Sequence, residues 1–366
     1  MGESRVAVIG GGVIGLSCAW RLADDGADVT VVDPEPASGA SWVAGGMLAP
    51  VTEAWPGEER LLELGSRSLR RWPGFASRLT AAAGMDAGLQ TGGTVVAAMD
   101  SADRAELDGL AAHLRRLGRD VNALPGRELR RLEPALGPNV RAGLAVPGDL
   151  SVDNRALLVA LRAVCDRVKF VAAKACAARP GSVELVDGSA VDADVVVVAA
   201  GAWSAALHPA LAGRLRPVKG EIVRLRARPS ALPPPARTVR ALVSGRPVYL
   251  VPRGDGRLVL GATQYEAGFD TEVTVGGVRD LLRDAEQVMP GLAEYAIEEL
   301  SAGLRPVTPD NLPVIGELEP GVLAATGHGR NGLLLAPITA DAVVALVRGA
   351  ASPVPTEAAG WDGAAG

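Results

Sequence analysis

Three glycines, Gly10, Gly12 and Gly15, interrupt the apolar run VAVIGGGVIGLSCAW at residues 6 to 20. Their spacing is G-x-G-x-x-G, and Asp33 closes the unit about 20 residues further on. Each part has a physical use. Gly10 allows a tight turn, Gly12 lets a pyrophosphate approach the backbone, and Gly15 lets a helix lie close on a strand. The helix start then offers free amides and its positive dipole to phosphates. Asp33 is placed to accept hydrogen bonds from ribose hydroxyls. The chemistry this predicts is binding of a dinucleotide.

A second group of residues has the chemistry to hold an anion. Arg305 lies in AGLRPVTPDNLPVIG and Arg330 in GHGRNGLLLAP. Arginine is abundant here, since only Lys169, Lys174 and Lys219 among the 37 basic residues are lysine, so its local setting must carry the argument. Both arginines stand in glycine- and proline-rich turns. A guanidinium there is costly unless paired, either by a structural carboxylate or by a bound anion. With two of them, anion binding is the favoured reading. His328 is read either as an acid or base or as a backbone-positioning residue. Trp55 is read as lining an entrance or packing in a core.

Elements must position these residues. Residues 5 to 9 read as a buried strand, 13 to 25 as a helix, and DVTVVD as a second strand ending at Asp33. Residues 34 to 50 form a loop of small residues, without periodicity until about residue 58; such length suggests function. Helical patterns follow at 58 to 82, where Arg70-Arg71 reads as a solvated face, and at 102 to 118, 126 to 133 and 276 to 289. Another helix over 151 to 166 is capped near Asp153. Strands are expected within 87 to 100, at 192 to 198, 217 to 226 and 247 to 261, and at 322 to 326. Gly201 opens a sharp turn after the 192 to 198 strand. Gly327 to Gly332 form a glycine-rich turn into a helix that reaches about Val347 and offers another set of backbone amides.

Composition narrows the class. A formal charge of -5 and 48% apolar residues describe an ordinary globular chain, with no basic excess for nucleic acid. Cys18, Cys165 and Cys176 are widely spaced and make no metal-ligand pattern, so no metal is expected, and a reducing cytoplasm fits. Cys18 and Cys165 are expected in the core. The opening run lacks the flanks of a signal peptide, and no other run reaches a membrane-spanning length. The pattern is interleaved: 1–85, 150–215 and 303–350 make one nucleotide-binding unit, 86–149 and 216–302 a strand-rich unit, and 351–366 a flexible tail.

GGGVIG, SWVAGGML, AAGAWS, PVKGE, VPR..GRLVLGAT, GLRPVTPDNLPVIG and ATGHGRNGLLLAP together resemble the FAD-dependent D-amino-acid oxidase superfamily, and within it the glycine oxidases of thiamine biosynthesis. The resemblance covers about residues 5 to 348. It implies an α/β fold: a Rossmann-like FAD-binding domain plus a substrate domain with a mostly antiparallel sheet. It implies noncovalent FAD. It also implies oxidation of glycine and other small primary or secondary amines by O2 to the imine or glyoxylate, with ammonia and hydrogen peroxide released. The product would supply thiazole synthesis. By the same correspondence the FAD contacts beyond the first glycines are Val13, Ile14, Asp33, Pro34, Ala40, Ser41, Gly45, Gly46, Met47 and Ala175. The turn at Gly201 and the run His328, Gly329, Arg330, Asn331, Gly332, Leu333 and Leu334 complete the set. Tyr249, Arg305 and Arg330 are the implied catalytic and substrate-binding residues, with Arg330 the expected carboxylate anchor.

Two positions depart from the pattern. Pro247 stands where these oxidases have a histidine near the tyrosine, and Gln264 where they have a methionine after GAT. Sarcosine or D-amino-acid oxidases or dehydrogenases of the superfamily, and a flavin-binding subunit without turnover, are the alternatives. The partners expected are a small amino acid and O2, with no nucleic acid and no membrane; assembly into a homo-oligomer is left open.

Overall fold

The computed structural model describes residues 4–354. Its first layer is a six-stranded sheet in the order 314–319, 322–326, 195–198, 5–9, 28–32 and 169–171. All neighbours run parallel except the edge strand Val314–Glu319, which is antiparallel. Parallel strands need cover on both faces, which is why these segments are apolar throughout. Val6, Val8, Val29 and Val31 face one core with Leu16, Trp20, Leu157, Leu335 and Ile338 from the helices Val13–Asp24, Asn154–Ala163 and Gly332–Val347. Ala7, Ile9, Val32, Val196 and Val198 face the other, under a three-stranded antiparallel sheet spanning residues 175 to 192.

The second layer is an eight-stranded sheet in the order 296–307, 216–226, 257–261, 246–252, 238–243, 94–98, 142–146 and 122–125. It is antiparallel except where Thr238–Val243 runs parallel to Thr94–Ala98. Period-two alternation sorts its faces. Val223, Leu225, Leu250, Leu258 and Leu260 turn toward Leu281, Ala285 and Val288 of the helix Val275–Val288. Ile222, Tyr249, Val251 and Val259 turn the other way, toward Val43 and Met47. That second face carries the candidate site.

Several sequence expectations need correction. The 34 to 50 segment is not structureless: it holds the short helix Ala40–Val43 and the strand Met47–Leu48, which pairs with Ser151 and Leu150. Such pieces are too short to leave a period. The 58 to 82 helix is two helices, Glu59–Leu69 and Trp72–Ala83, broken at Arg70-Arg71. Arg71 is not simply solvated, because it pairs with Asp341 at 3.2 Å. Residues 192 to 198 split between two sheets, Ala190–Asp192 in one and Val195–Val198 in the other. Thr238–Val243 is a further strand, directly after the proline-rich linker RPSALPPPAR at residues 228–237.

The boundary at 303 also moves. The strand Ala296–Val307 runs unbroken beside Arg216–Arg226, with Arg305 opposite Val218, so residues 303 to 307 lie in the eight-stranded sheet. Gly303 and Pro306 read as breakers in sequence, but an edge strand tolerates both. Of the expected tail, residues 355–366 lie outside the described residues. Gly329–Val347 is long and apolar enough to cross a membrane, yet most of it is buried as a core helix.

Candidate active site

The first glycine turn has the geometry its spacing predicts. Gly10 has φ +109°, and a side chain at Gly15 would collide with the Gly10 carbonyl. A Cβ on Gly12 would meet only the Ser41 hydroxyl, 3.2 Å away. The N-cap residue Gly12 has no side chain to take the first-turn amides of the helix that starts at Val13; Ser41 Oγ, from the 40 to 47 segment, accepts from the Val13 amide at 3.0 Å. Asp33 braces the turn: it accepts from the Gly11 amide at 2.6 Å and the Glu35 amide at 2.7 Å, across Pro34. Ala175 packs on the same core as Ile9 and Val32, and Gly201, at φ +55°, opens the turn after Val195–Val198.

The second glycine turn is its counterpart. Gly327 and Gly329 have φ +76° and +53°, and the 16-residue helix Gly332–Val347 also begins without a side-chain cap, at Asn331. Leu333 and Leu334 are buried against the first helix's core. His328 is buried and bonds Thr339 Oγ1 at 3.0 Å; burial pushes its pKa down to about 3. The imidazole is thus aimed at the helix that follows the turn.

A clamp fixes the 40 to 47 segment between the two layers. Asn154 Nδ2 donates to the carbonyls of Ser41 and Trp42, each at 2.8 Å. Arg253 donates to the Gly45 carbonyl at 2.9 Å and Arg224 to the Trp42 carbonyl at 3.0 Å. Burial lowers the pKa of Arg224 to about 10 and also depresses that of Arg253. Ala40 and Val43 rest on Gly303, and Gly46, at φ +89°, passes so close to Val152 that no side chain fits.

Tyr249 and Arg305 stand on the sheet face that meets this segment. The Tyr249 ring lies between Gly45 and Gly261; a Cβ at Gly45 would come within 2.6 Å of the ring. No hydrogen-bond partner among the described residues takes the Tyr249 hydroxyl, and burial raises its pKa while Arg305 opposes the rise. Arg305 lies on the backbone of Gly220 and donates only to the Thr263 carbonyl, at 3.3 Å. No carboxylate among the described residues pairs with it. Two charged or polar donors thus converge without an acceptor.

Arg330, unlike Arg305, has a carboxylate partner within the chain. Its guanidinium is already paired with Glu58 and also donates to the Glu53 carbonyl at 3.1 Å. Glu58 is itself held by Asn311 Nδ2 at 2.7 Å. These contacts engage one end of the guanidinium, while its buried Nε has no partner among the described residues.

Residues 5–346 match the sequence profile described as FAD dependent oxidoreductase. The chain belongs to that family. Similar proteins include a glycine oxidase of Geobacillus kaustophilus, 33% identical over 93% of this chain and 92% of that one, and a glycine oxidase of Pseudomonas putida, 32% identical over 95% of each. A bifunctional protein ThiO/ThiG of Nostoc is 33% identical, and the chain spans about half, 52%, of its length. The crystal structure of the G. kaustophilus glycine oxidase superposes with a TM-score of 0.87 over 96% of this chain and 97% of that one, at 32% identity.

The residues of this FAD-dependent oxidoreductase fit such a cofactor. The first helix start, with Ser41 taking only its Val13 amide, and the Gly12 approach provide for diphosphate, while the clamped 40 to 47 segment and the Gly327–Gly332 turn border the sheet face carrying Tyr249. Sequence reasoning missed Glu53, Asp149, Gly220, Arg240 and Gly261. Gly220 and Gly261 stood inside quoted motifs, PVKGE and GRLVLGAT, but what they face was not legible.

Proposed function

We propose that this protein oxidises glycine, and other small primary or secondary amines, with O2 to the imine or glyoxylate, ammonia and hydrogen peroxide. The observation that carries this reading is Arg305, a guanidinium without a carboxylate partner among the described residues, beside the free hydroxyl of Tyr249. The names of its relatives support it. FAD, when bound, supplies the two-electron chemistry. Gly10, Gly12, Val13, Ile14 and Gly15, with Asp33, Pro34, Ala40, Ser41 and Ala175, would hold its nucleotide. Gly45, Gly46, Met47, Gly201 and the His328–Leu334 run would border its reactive part.

The protein's own part is binding and orientation. Arg305 takes the substrate carboxylate with two parallel hydrogen bonds and Tyr249 adds a third. We further propose a cytoplasmic enzyme that supplies thiazole synthesis, with no nucleic-acid or membrane partner. The test is a panel of glycine, sarcosine, D-alanine and D-phenylalanine read by peroxide release. Glycine should bleach the yellow protein anaerobically and lead the panel. A faster bulky D-amino acid would overturn the glycine reading, and absence of bleaching by all four would leave only a flavin binder.

A further inference from the structure

The segment before the helix Glu59–Leu69 is held by long-range contacts. Asp149 is fully buried and accepts from the Val51 amide at 3.3 Å, the Thr52 amide at 3.2 Å and the Thr52 hydroxyl at 2.7 Å. Arg240, opposite Tyr249 in the sheet, donates to the Thr52 carbonyl. Arg330 donates to the Glu53 carbonyl at 3.1 Å. The backbone is therefore fixed immediately before and at Glu53.

The Glu53 side chain is an anomaly. The residue is only 8% exposed, yet no donor among the described residues reaches its carboxylate. Arg330 binds its backbone carbonyl but gives its charge to Glu58. Arg240 stands opposite Tyr249 and grips the Thr52 carbonyl, which brings the next residue, Glu53, to the Tyr249 side of the sheet; burial raises the Tyr249 pKa, and the negative charge of Glu53 adds to the rise that Arg305 opposes. Buried carboxylates are normally paired, because an unpaired one has lost its water and gained nothing. A carboxylate pinned in place and left unpaired is arranged for a cation that arrives from outside.

We infer that Glu53 is the amine-recognition residue of this site: its carboxylate receives the substrate ammonium while Arg305 and Tyr249 receive the substrate carboxylate. The inference rests on the reading of the site as one for a small amino acid. A zwitterion then meets a complementary pair, cation against Glu53 and anion against Arg305. A hydroxy acid or simple carboxylate would satisfy only one of the two.

The experiment compares ligands with and without the amine on the FAD-loaded enzyme. Glycine affinity is taken from the concentration dependence of anaerobic flavin reduction, and acetate affinity from its perturbation of the flavin spectrum. Glu53→Gln should weaken glycine at least about tenfold, roughly the loss of one charged contact, and leave acetate within about twofold. Glu53→Asp should recover part of the glycine affinity. Unchanged glycine affinity, or equal weakening of both ligands, would overturn the inference, the latter marking a structural residue. Should the glutamine variant lose its flavin, the aspartate variant is compared with the parent in the same two assays: selective weakening of glycine supports the assignment and parallel weakening sinks it. If glycine fails to reduce the parent enzyme, the functional reading fails first, and the pair becomes whichever amino acid reduces it and that acid's deamino analogue.

Discussion

The guanidinium of Arg305 lies directly on the backbone of Gly220, so that a Cβ at residue 220 would fall 2.5 Å from its central carbon. Both residues project from the same sheet face, because Arg305 is opposite Val218 and Gly220 is the next residue on that side. Glycine at 220 is what gives the arginine its resting place.

Gly220→Ala should therefore act on binding more than on folding. The atom displaced is the end of a flexible side chain, which can move without disturbing the strand. We expect Tm and FAD content close to the parent's and a KM for glycine raised about tenfold or more, about 1.4 kcal/mol. An unchanged KM would mean that the substrate carboxylate is anchored elsewhere.

Arg305 and Arg330 should separate in mutagenesis. Arg305→Ala removes a donor for which no carboxylate substitutes, and the loss of one partner of a desolvated charge pair is about 2–5 kcal/mol. That is roughly 30-fold to several-thousand-fold in KM. Arg330→Ala instead strands Glu58 and loosens the turn before Glu59–Leu69. Its main effect should be on Tm, with a KM change below about tenfold. The reverse ranking of the two KM values would restore Arg330 as the anchor.

This pair also marks how far the sequence could be read. The glycine spacing, the apolar strand before it and Asp33 gave the first helix and both flanking strands, because those depend on neighbours in the chain. The choice between the two arginines does not. Each sits among glycine and proline, and they differ only because Glu58, far away in the chain, reaches Arg330. Glu53 was equally hidden: a single acid in a loop of small residues gains meaning only when Asp149, Arg240 and Arg330 hold it beside Tyr249. Thr238–Val243 was lost beside its proline-rich linker, and the break at Arg70-Arg71 was masked by apolar spacing that continues across it.

FAD should come away without its protein. Cys18 and Cys165 are buried, and burial raises both thiols to about 12, so neither is a ready nucleophile. Cys176 is exposed, on a strand of the small antiparallel sheet. His328 is engaged with Thr339, His208 with Glu319 and His113 with Glu59. Acid precipitation should leave all the yellow colour in the supernatant. Colour fixed in the pellet would contradict the noncovalent assignment.

Asp149 should make stability depend on pH in a direction opposite to that of most carboxylates. Burial raises its pKa from 3.8 to about 6, despite the hydrogen bonds it accepts from the Val51 amide and from the amide and hydroxyl of Thr52. Between those two pH values the folded protein binds more protons at this site than the unfolded chain does. Its contribution is therefore fully present below about 3.8 and is lost as pH rises through about 6. A gap of about two pH units corresponds to about 3 kcal/mol. Asp149→Asn keeps an oxygen for Thr52 but cannot ionise. Relative to the parent, this variant should gain Tm as the pH is raised from about 4 to 6, so that the two curves diverge across that window and run parallel above it. Parallel curves throughout would show that Asp149 is charged at little cost, and that its three donors outweigh its burial.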